Sequence, residues 1–320
     1  MDIVFVINPV SGYRLGKKII ELIPVIMSET WPQLTYRLVK TRQDGIDAHQ
    51  IPEETRFILA MGGDGTAAMV ILYAIKQKLS ARIGIIPFGV GNDLALFLGF
   101  SPPENNTNLK KHLKIQIEAV LSNPQTISYD IFMVNQHPMI NYFSIGYDAY
   151  VLNHFLNWRK KLNRVLKSNM MNRLLYLSLG LIFIHHRIYT PIKITLHSGD
   201  TPQILEFPRG LKGLVVSNVN SYAGGSIISK DARCDDSIVE ILVIKHCFHY
   251  FLLMFTRFFP GLVKWLQRNG NYYQAHRVEI DTSVPVSAQI DGESLNIADS
   301  CFRLEHFKQI TVIKNKTQEE

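Results

Sequence analysis

The 320-residue sequence predicts an α/β domain followed by a mainly-β, antiparallel domain with helical insertions. Three observations carry this. Up to about residue 130, short continuous apolar runs alternate with helical patterns, as in a parallel sheet covered on both faces. Beyond it, the runs become alternating and β-branched and are separated by turns, as in antiparallel sheets. With 47% hydrophobic and 19% charged residues, the chain can bury ordinary cores and does not have the composition of a disordered protein.

In order, residues 3–8 (IVFVIN) read as a buried strand ending at the turn Asn8-Pro9-Val10-Ser11-Gly12. Ile19, Leu22, Ile23 and Ile26 then recur at helical spacing, with Pro24 predicted to kink or break the helix. Residues 35–39 form a second strand. A third, 57–61, runs into Gly62-Gly63-Asp64-Gly65-Thr66 and a helix over 67–78. The unit repeats as strand 83–86, turn Pro87-Phe88-Gly89-Val90-Gly91-Asn92-Asp93 and a helix from Leu94. In the second part, strands are expected at 131–134, 139–143, 192–197, 213–219, 238–244, 278–280 and 284–290. Helical insertions interrupt them at 150–186 and 248–268, and the pattern of the last strand, 310–313, does not assign it to either domain.

Charge follows this division. The formal net charge is +7, yet residues 149–199 contain no Asp or Glu and eight basic residues, among them Arg159, Lys160, Lys161, Arg164 and Lys167. Residues 241–278 likewise contain no Asp or Glu and carry Lys245, Arg257, Lys264, Arg268 and Arg277. Such an imbalance suggests an anionic partner. Phe248, Tyr250, Phe251, Phe255, Phe258, Phe259 and Trp265 are interleaved with the second set, a mixture suited to the headgroup level of an anionic membrane. No apolar run reaches the ~20 residues of a spanning helix, so the expectation is a soluble or peripheral protein. The start of the chain lacks a basic n-region and a cleavage site, which argues against a secretory signal. Cys234, Cys247 and Cys301 form no disulfide framework or metal spacing and point to reducing cytosol. No RNA-binding signature accompanies the basic residues, so nucleic acid is not an expected partner. Oligomeric state is not read from the sequence.

The glycine turn at 62–66 lies between strand and helix, where backbone N–H groups and the helix dipole favour phosphate. A carboxylate among those glycines makes sense chiefly where a divalent cation bridges it to a nucleotide. The 87–93 turn ends the next strand, and carboxyl ends of adjacent parallel strands are where α/β sheets bind ligands. Gln289-Ile290-Asp291-Gly292-Glu293 reads either as an Asp-Gly hairpin turn or as a proton-accepting carboxylate pair.

Taken together and in order with Thr41, Ser144-Ile145-Gly146-Tyr147-Asp148, Gly224-Gly225 and 231–236, these pieces resemble the diacylglycerol kinase catalytic family, the bacterial lipid kinases related to sphingosine and ceramide kinases. The resemblance implies a three-layer α/β nucleotide-binding domain of the NAD kinase/phosphofructokinase type over residues 1–130, which 303–320 can complete. It also implies an antiparallel β-sandwich lipid-substrate domain over 131–302. ATP and Mg²⁺ are the implied cofactors, and a lipid hydroxyl, in particular that of diacylglycerol, is the implied acceptor. The implied nucleotide site comprises Asn8, Pro9, Val10, Ser11, Gly12, Thr41, Gly63, Asp64, Gly65, Thr66, Val90, Asn92 and Asp93. Asp64 would hold catalytic Mg²⁺ and phosphate; Asp291 and Glu293 are the candidate bases, with Glu293 the proton acceptor. A structural Mg²⁺ would use Asp236 with the backbone carbonyls of Arg233 and Ile238. The chain departs from the family pattern at Ala68-Met69, Val90 and Ser237. A catalytically silent lipid- or nucleotide-binding homologue and an NAD kinase-like enzyme are the alternatives.

Overall fold

A computed structural model describes the chain except residues 43–44, 48–49, 90, 104–107, 123, 163–168, 223–224, 296–298 and 316–320. Val90, Gly224, Arg164 and Lys167 therefore lie outside the described residues. The chain divides into two units, Met1–Tyr129 with the segment from Ile310, and Asp130–Gln309.

In the first unit, strands β1 (Ile3–Ile7), β2 (Tyr36–Lys40), β3 (Phe57–Gly62) and β4 (Arg82–Pro87) form a parallel sheet in the order β2-β1-β3-β4. Every residue of β1 and β3 is buried, which is why their sequences are continuous apolar runs and not alternating ones. Helices α1 (Ser11–Thr30), α2 (Asp64–Lys76), α3 (Asp93–Phe97) and α4 (Leu109–Leu121) connect and follow these strands. Helix α1 continues through Pro24 without a break, contrary to the sequence expectation. An interior proline costs about 3 kcal/mol. Ile19, Ile23, Ile26 and Met27 are all buried, and each apolar side chain returns about 1.5–3 kcal/mol, so burial outweighs the missing hydrogen bond. Helix α4 was not anticipated, although Leu109, Leu113, Ile117 and Val120 are buried at the spacing of one helical face.

The second unit begins within β5 (Gln125–Val134) and continues through β6 (His137–Met139), β7 (Tyr142–Gly146), α5 (Tyr147–Lys161) and α6 (Asn169–Ile182). Next come β8 (Ile192–His197), β9 (Gln203–Phe207), β10 (Gly213–Ser217), the short hairpin β11 (Ser221–Tyr222) and β12 (Ser226–Ile227), and β13 (Val239–Ile244). Helices α7 (Cys247–Phe255) and α8 (Gly261–Leu266), closed by a π-helical turn, precede β14 (Tyr272–Ala275), β15 (Arg277–Asp281), β16 (Ala288–Ile290), β17 (Glu293–Leu295) and β18 (Cys301–Lys314). One antiparallel sheet runs β14-β13-β10-β7-β16-β17. A second runs from the first part of β18 through β15 and β8 to β9, again antiparallel. The two sheets share one apolar core, which includes Phe143, Leu214 and Ile241 from the first and Ile194, Ile280 and Phe302 from the second. The end of β18 contributes Val312 opposite Ile83, parallel to β4, and so belongs to the first unit.

Two expected strands are shorter than the pattern suggested. The run 139–143 divides between β6 and β7 because the N–H groups of Ile140 and Asn141 are donated to the Asp291 carboxylate. The run 284–290 is a strand only from Ala288. Each helical insertion is built of two helices.

Candidate functional site

Parallel registration decides where the loop residues of the first unit lie. Ile7 is opposite both Lys40 and Met61, and Gly62 is opposite Pro87, so the four strands end together on one edge. Asn8, Thr41, Gly63 and Phe88 follow those ends directly. The Asn8 N–H donates to the Met61 carbonyl (3.1 Å), that of Thr41 to Ile7 (2.9 Å) and that of Phe88 to Gly62 (2.9 Å). The Asn8 side chain donates to the Thr66 hydroxyl (3.4 Å) and accepts from the Val10 N–H (3.1 Å).

The glycine-rich turns are packed backbone against backbone. A Cβ added at Gly89 would lie 2.3 Å from the Gly63 Cα, and one at Gly12, whose φ is +58°, would lie 2.3 Å from the Phe88 carbonyl oxygen. By contrast, a Cβ at Gly65 meets nothing within 4 Å, so this glycine leaves an open surface at the first turn of α2. Asn92 closes its own turn, donating to the Gly89 carbonyl (2.9 Å) and accepting from the Gly89 N–H (3.1 Å). Asp64, at the first position of α2, accepts from the N–H groups of Asp93 (3.0 Å) and Leu94 (3.1 Å) through its two carboxylate oxygens. The arrangement brings together three turns, the amino ends of two long helices and one carboxylate.

Beside it, a cavity of about 610 Å³ is lined by Pro9, Thr41 and the cationic residues Arg37, Lys40 and Arg42. Sequence reasoning selected Thr41 but missed these cations. The detectable signal was basic residues around the carboxyl end of a parallel strand. Val10 is 72% exposed, and Ser11 opens α1 with its N–H bonded to the Asn8 carbonyl (3.2 Å).

In the second unit, Asp291 and Gly292 have φ of 50° and 81° and form the two-residue connection of a hairpin in which Ile290 faces Glu293. The Asp291 carboxylate is buried and accepts the N–H groups of Ile140 (2.8 Å), Asn141 (2.7 Å) and Tyr142 (2.9 Å). Burial pushes its pKa up to about 6, against the lowering effect of those three bonds. Glu293, two residues on, is exposed. The two carboxylates thus have different environments, with Asp291 turned into the backbone and Glu293 accessible to solvent.

Gln289 extends this hairpin into a buried polar network, donating to the Ser144 hydroxyl (2.7 Å) while its carbonyl accepts from the Gly292 N–H (2.8 Å). Ser144 donates to Asp148 (2.5 Å), as do Tyr250 (2.8 Å) and Tyr222. Burial raises the Asp148 pKa, opposed by the hydroxyl bonds. The sequence marked the Ser144–Asp148 motif without assigning its role; the structure shows a fully used hydrogen-bond junction.

The turn containing Arg233, Asp236 and Ile238 is closed by protein groups. Asp236 accepts from the Ile238 N–H (3.0 Å), Arg233 donates to Asp235 (3.0 Å), and the Ser237 N–H donates to buried Asp130 (2.7 Å). His306 also lies 2.9 Å from the Asp130 carboxylate. Among the described residues, no group of three or more His, Cys, Asp or Glu side chains is placed to hold a metal. No helix among them is long and apolar enough to cross a membrane.

Comparison with known proteins places this geometry in a family. Residues 2–122 match the diacylglycerol kinase catalytic domain and residues 138–294 the diacylglycerol kinase accessory domain. Diacylglycerol kinase 1 of Arabidopsis thaliana is 25% identical over 284 residues, covering 82% of this chain and 38% of its own length. Diacylglycerol kinase iota of Homo sapiens is 23% identical over 343 residues, covering 96% of this chain and 31% of its own. The chain therefore spans well under half the length of these two relatives. A structure described as a diacylglycerol kinase from Bacillus anthracis str. Sterne superposes with a TM-score of 0.63 at 20% identity, covering 98% of this chain and 97% of that chain, a likeness of fold. With its first part matched by the catalytic domain and its second by the accessory domain, the chain belongs to the diacylglycerol kinase catalytic family.

Proposed function

We propose that the chain is an ATP- and Mg²⁺-dependent lipid kinase that transfers a phosphoryl group to a lipid hydroxyl, that of diacylglycerol, working as a peripheral protein at an anionic membrane surface. The observation that carries this reading is the convergence of the Asn8–Gly12, Gly62–Thr66 and Pro87–Asp93 turns around Asp64 at the carboxyl edge of the parallel sheet. Phosphoryl transfer needs positioning and charge neutralisation more than covalent chemistry, and that edge offers backbone N–H groups, two helix amino ends and nearby cations.

The donor set suits a hard cation. The Asp93 and Leu94 N–H groups each bond one oxygen of Asp64, which fixes the carboxylate among the turns, and oxygen ligands are those a hard cation takes. Asp64 would hold Mg²⁺ there, and the bound ion would supply neutralisation of phosphate charge. Glu293, exposed on its hairpin, is the acceptor of the hydroxyl proton, while Asp291 builds the turn that presents it. A second Mg²⁺ at Asp236, with the Arg233 and Ile238 carbonyls, belongs to the proposal as a stabilising ion. The first unit serves as the nucleotide domain and the second as the lipid domain.

The test is phosphorylation from labelled ATP with Mg²⁺ and a panel of lipids in mixed micelles. Diacylglycerol is the expected acceptor. Asp64→Ala and Glu293→Gln should each abolish transfer, Glu293→Gln without changing the unfolding midpoint. Intact nucleotide binding with no lipid phosphorylated at high protein concentration would establish the silent-homologue reading instead.

A further inference from the structure

We infer that the cavity between the end of α6 and the start of α7 binds the phosphate group of an anionic phospholipid. This cavity, of about 350 Å³, falls within the roughly 300–1,000 Å³ of small-ligand sites. Its wall includes His185, Arg187, Lys212, Lys245, His246 and Cys247, so all the charged side chains lining it are basic. None of these residues belongs to the nucleotide turns or the Asp291 hairpin.

Lys212 shows that the site is built. The residue is only 3% exposed, and its ammonium donates to the carbonyls of Ile184 and His186 (2.6 Å for the latter) and lies 4.0 Å from the centroid of the Tyr147 ring. A buried ammonium is expensive, and its partners here are neutral carbonyls and a ring face. Among the described residues, no carboxylate forms an ion pair with Lys212, Lys245 or Arg187. The cations are therefore left to oppose one another. Burial lowers the Lys212 pKa, Cys247 beside it acts in the opposite direction, and Arg187 adds a smaller lowering; for His249 burial, then His246 and Lys245, lower the pKa. An anion in the cavity relieves this repulsion. The amino end of α7, which begins at Cys247, adds a favourable dipole.

The flanking surfaces select a lipid as the source of the phosphate. One face of α7 buries Tyr250 and Leu253, while Phe248 (57% exposed), Phe251, Met254 and Phe255 project outward. The following Phe258 (68% exposed) and Phe259 continue that stripe. On the other side of the cavity, α6 exposes Leu177, Leu181 and Ile182, and Ile184 follows. Apolar helix faces on both sides of a cationic pocket match a bilayer surface, where acyl chains and phosphate groups are presented together. A free phosphate ion would use the cations but gain nothing from the exposed aromatics.

The experiment titrates the chain, without nucleotide or acceptor, with dihexanoyl phosphatidylglycerol below its micellar concentration. Binding is read by the thermal midpoint and by the ³¹P signal of the lipid. This lipid is not the product of the proposed kinase reaction, so the outcome is separate from that of the transfer assay. Because a Lys212 variant risks misfolding, the test pair is Lys245→Gln with His185→Gln at the rim, and the control pair is Lys264→Gln with Arg268→Gln, elsewhere in the second acid-poor stretch. Saturable binding that the test pair weakens roughly tenfold or more, and the control pair leaves within about twofold, supports the site. Dihexanoyl phosphatidylcholine should not bind. An equal response to inorganic phosphate overturns the lipid assignment, and absence of binding, or equal loss in both pairs, overturns the site.

Discussion

Asp291→Ala separates architecture from chemistry within one hairpin. The substitution removes the acceptor of three backbone N–H groups, those of Ile140, Asn141 and Tyr142, at 2.7–2.9 Å. Each buried donor left without a partner costs about 1–3 kcal/mol, a total of roughly 3–9. Against this, raising the carboxyl pKa from 3.8 to about 6 represents about 3 kcal/mol of ionisation cost at neutral pH, which the alanine removes. The expected net destabilisation at pH 7.5 is about 3 kcal/mol.

The pH dependence gives an independent check. A carboxyl whose folded pKa is raised binds its proton more tightly in the folded state, so its contribution to stability grows as pH falls through 6 toward 3.8. The difference between wild type and Asp291→Ala should therefore be about 1.3 kcal/mol larger at pH 5 than at pH 7. Urea unfolding of both proteins at the two pH values measures it. A difference below about 1 kcal/mol at both pH values, or one that shrinks on acidification, would refute the argument that this carboxylate is a buried backbone clamp.

Gly89→Ala should weaken ATP binding at least tenfold in a nucleotide titration, because its Cβ would lie 2.3 Å from the Gly63 Cα, whereas Gly65→Ala, facing open space, should fold and retain the turn packing. Ser237 adopts a φ of 57°, so Ser237→Gly should raise the unfolding free energy by about 1 kcal/mol; an unchanged or lower value would show that no strain is stored there. Tyr250→Phe removes one hydroxyl from buried Asp148 and should destabilise the chain by about 1–3 kcal/mol in thermal unfolding, leaving the assembly of the nucleotide turns unaffected.

Much of the first unit was legible because its signals are local. Five consecutive buried residues make β1 an apolar run, and glycine is required wherever one turn backbone approaches another, as at Gly12 and Gly89. Pro24 misled because its local cost is outweighed by nonlocal burial of the α1 stripe. The cations Arg37, Lys40 and Arg42 were missed because their relevance depends on which strand ends lie side by side. In the hairpin, the order Asp-Gly-Glu does not say which carboxylate is buried. That follows from the backbone at Ile140–Tyr142, about 150 residues earlier in the chain, turning its N–H groups toward Asp291.

By itself, the sequence determined the two-part α/β and β organisation, the ordered motifs and the segregation of basic from acidic residues. These depend on hydrophobic period, glycine and charge, which each segment carries along its own length. Only the tertiary structure decided that Asp64 orients against Asp93 and Leu94, that Asp291 is a clamp while Glu293 is exposed, and that Lys212 joins His185 and Lys245 around one cavity. Those outcomes depend on burial and on contacts between residues far apart in the chain, and the free energy of a charge is set by the partners and solvent it meets there.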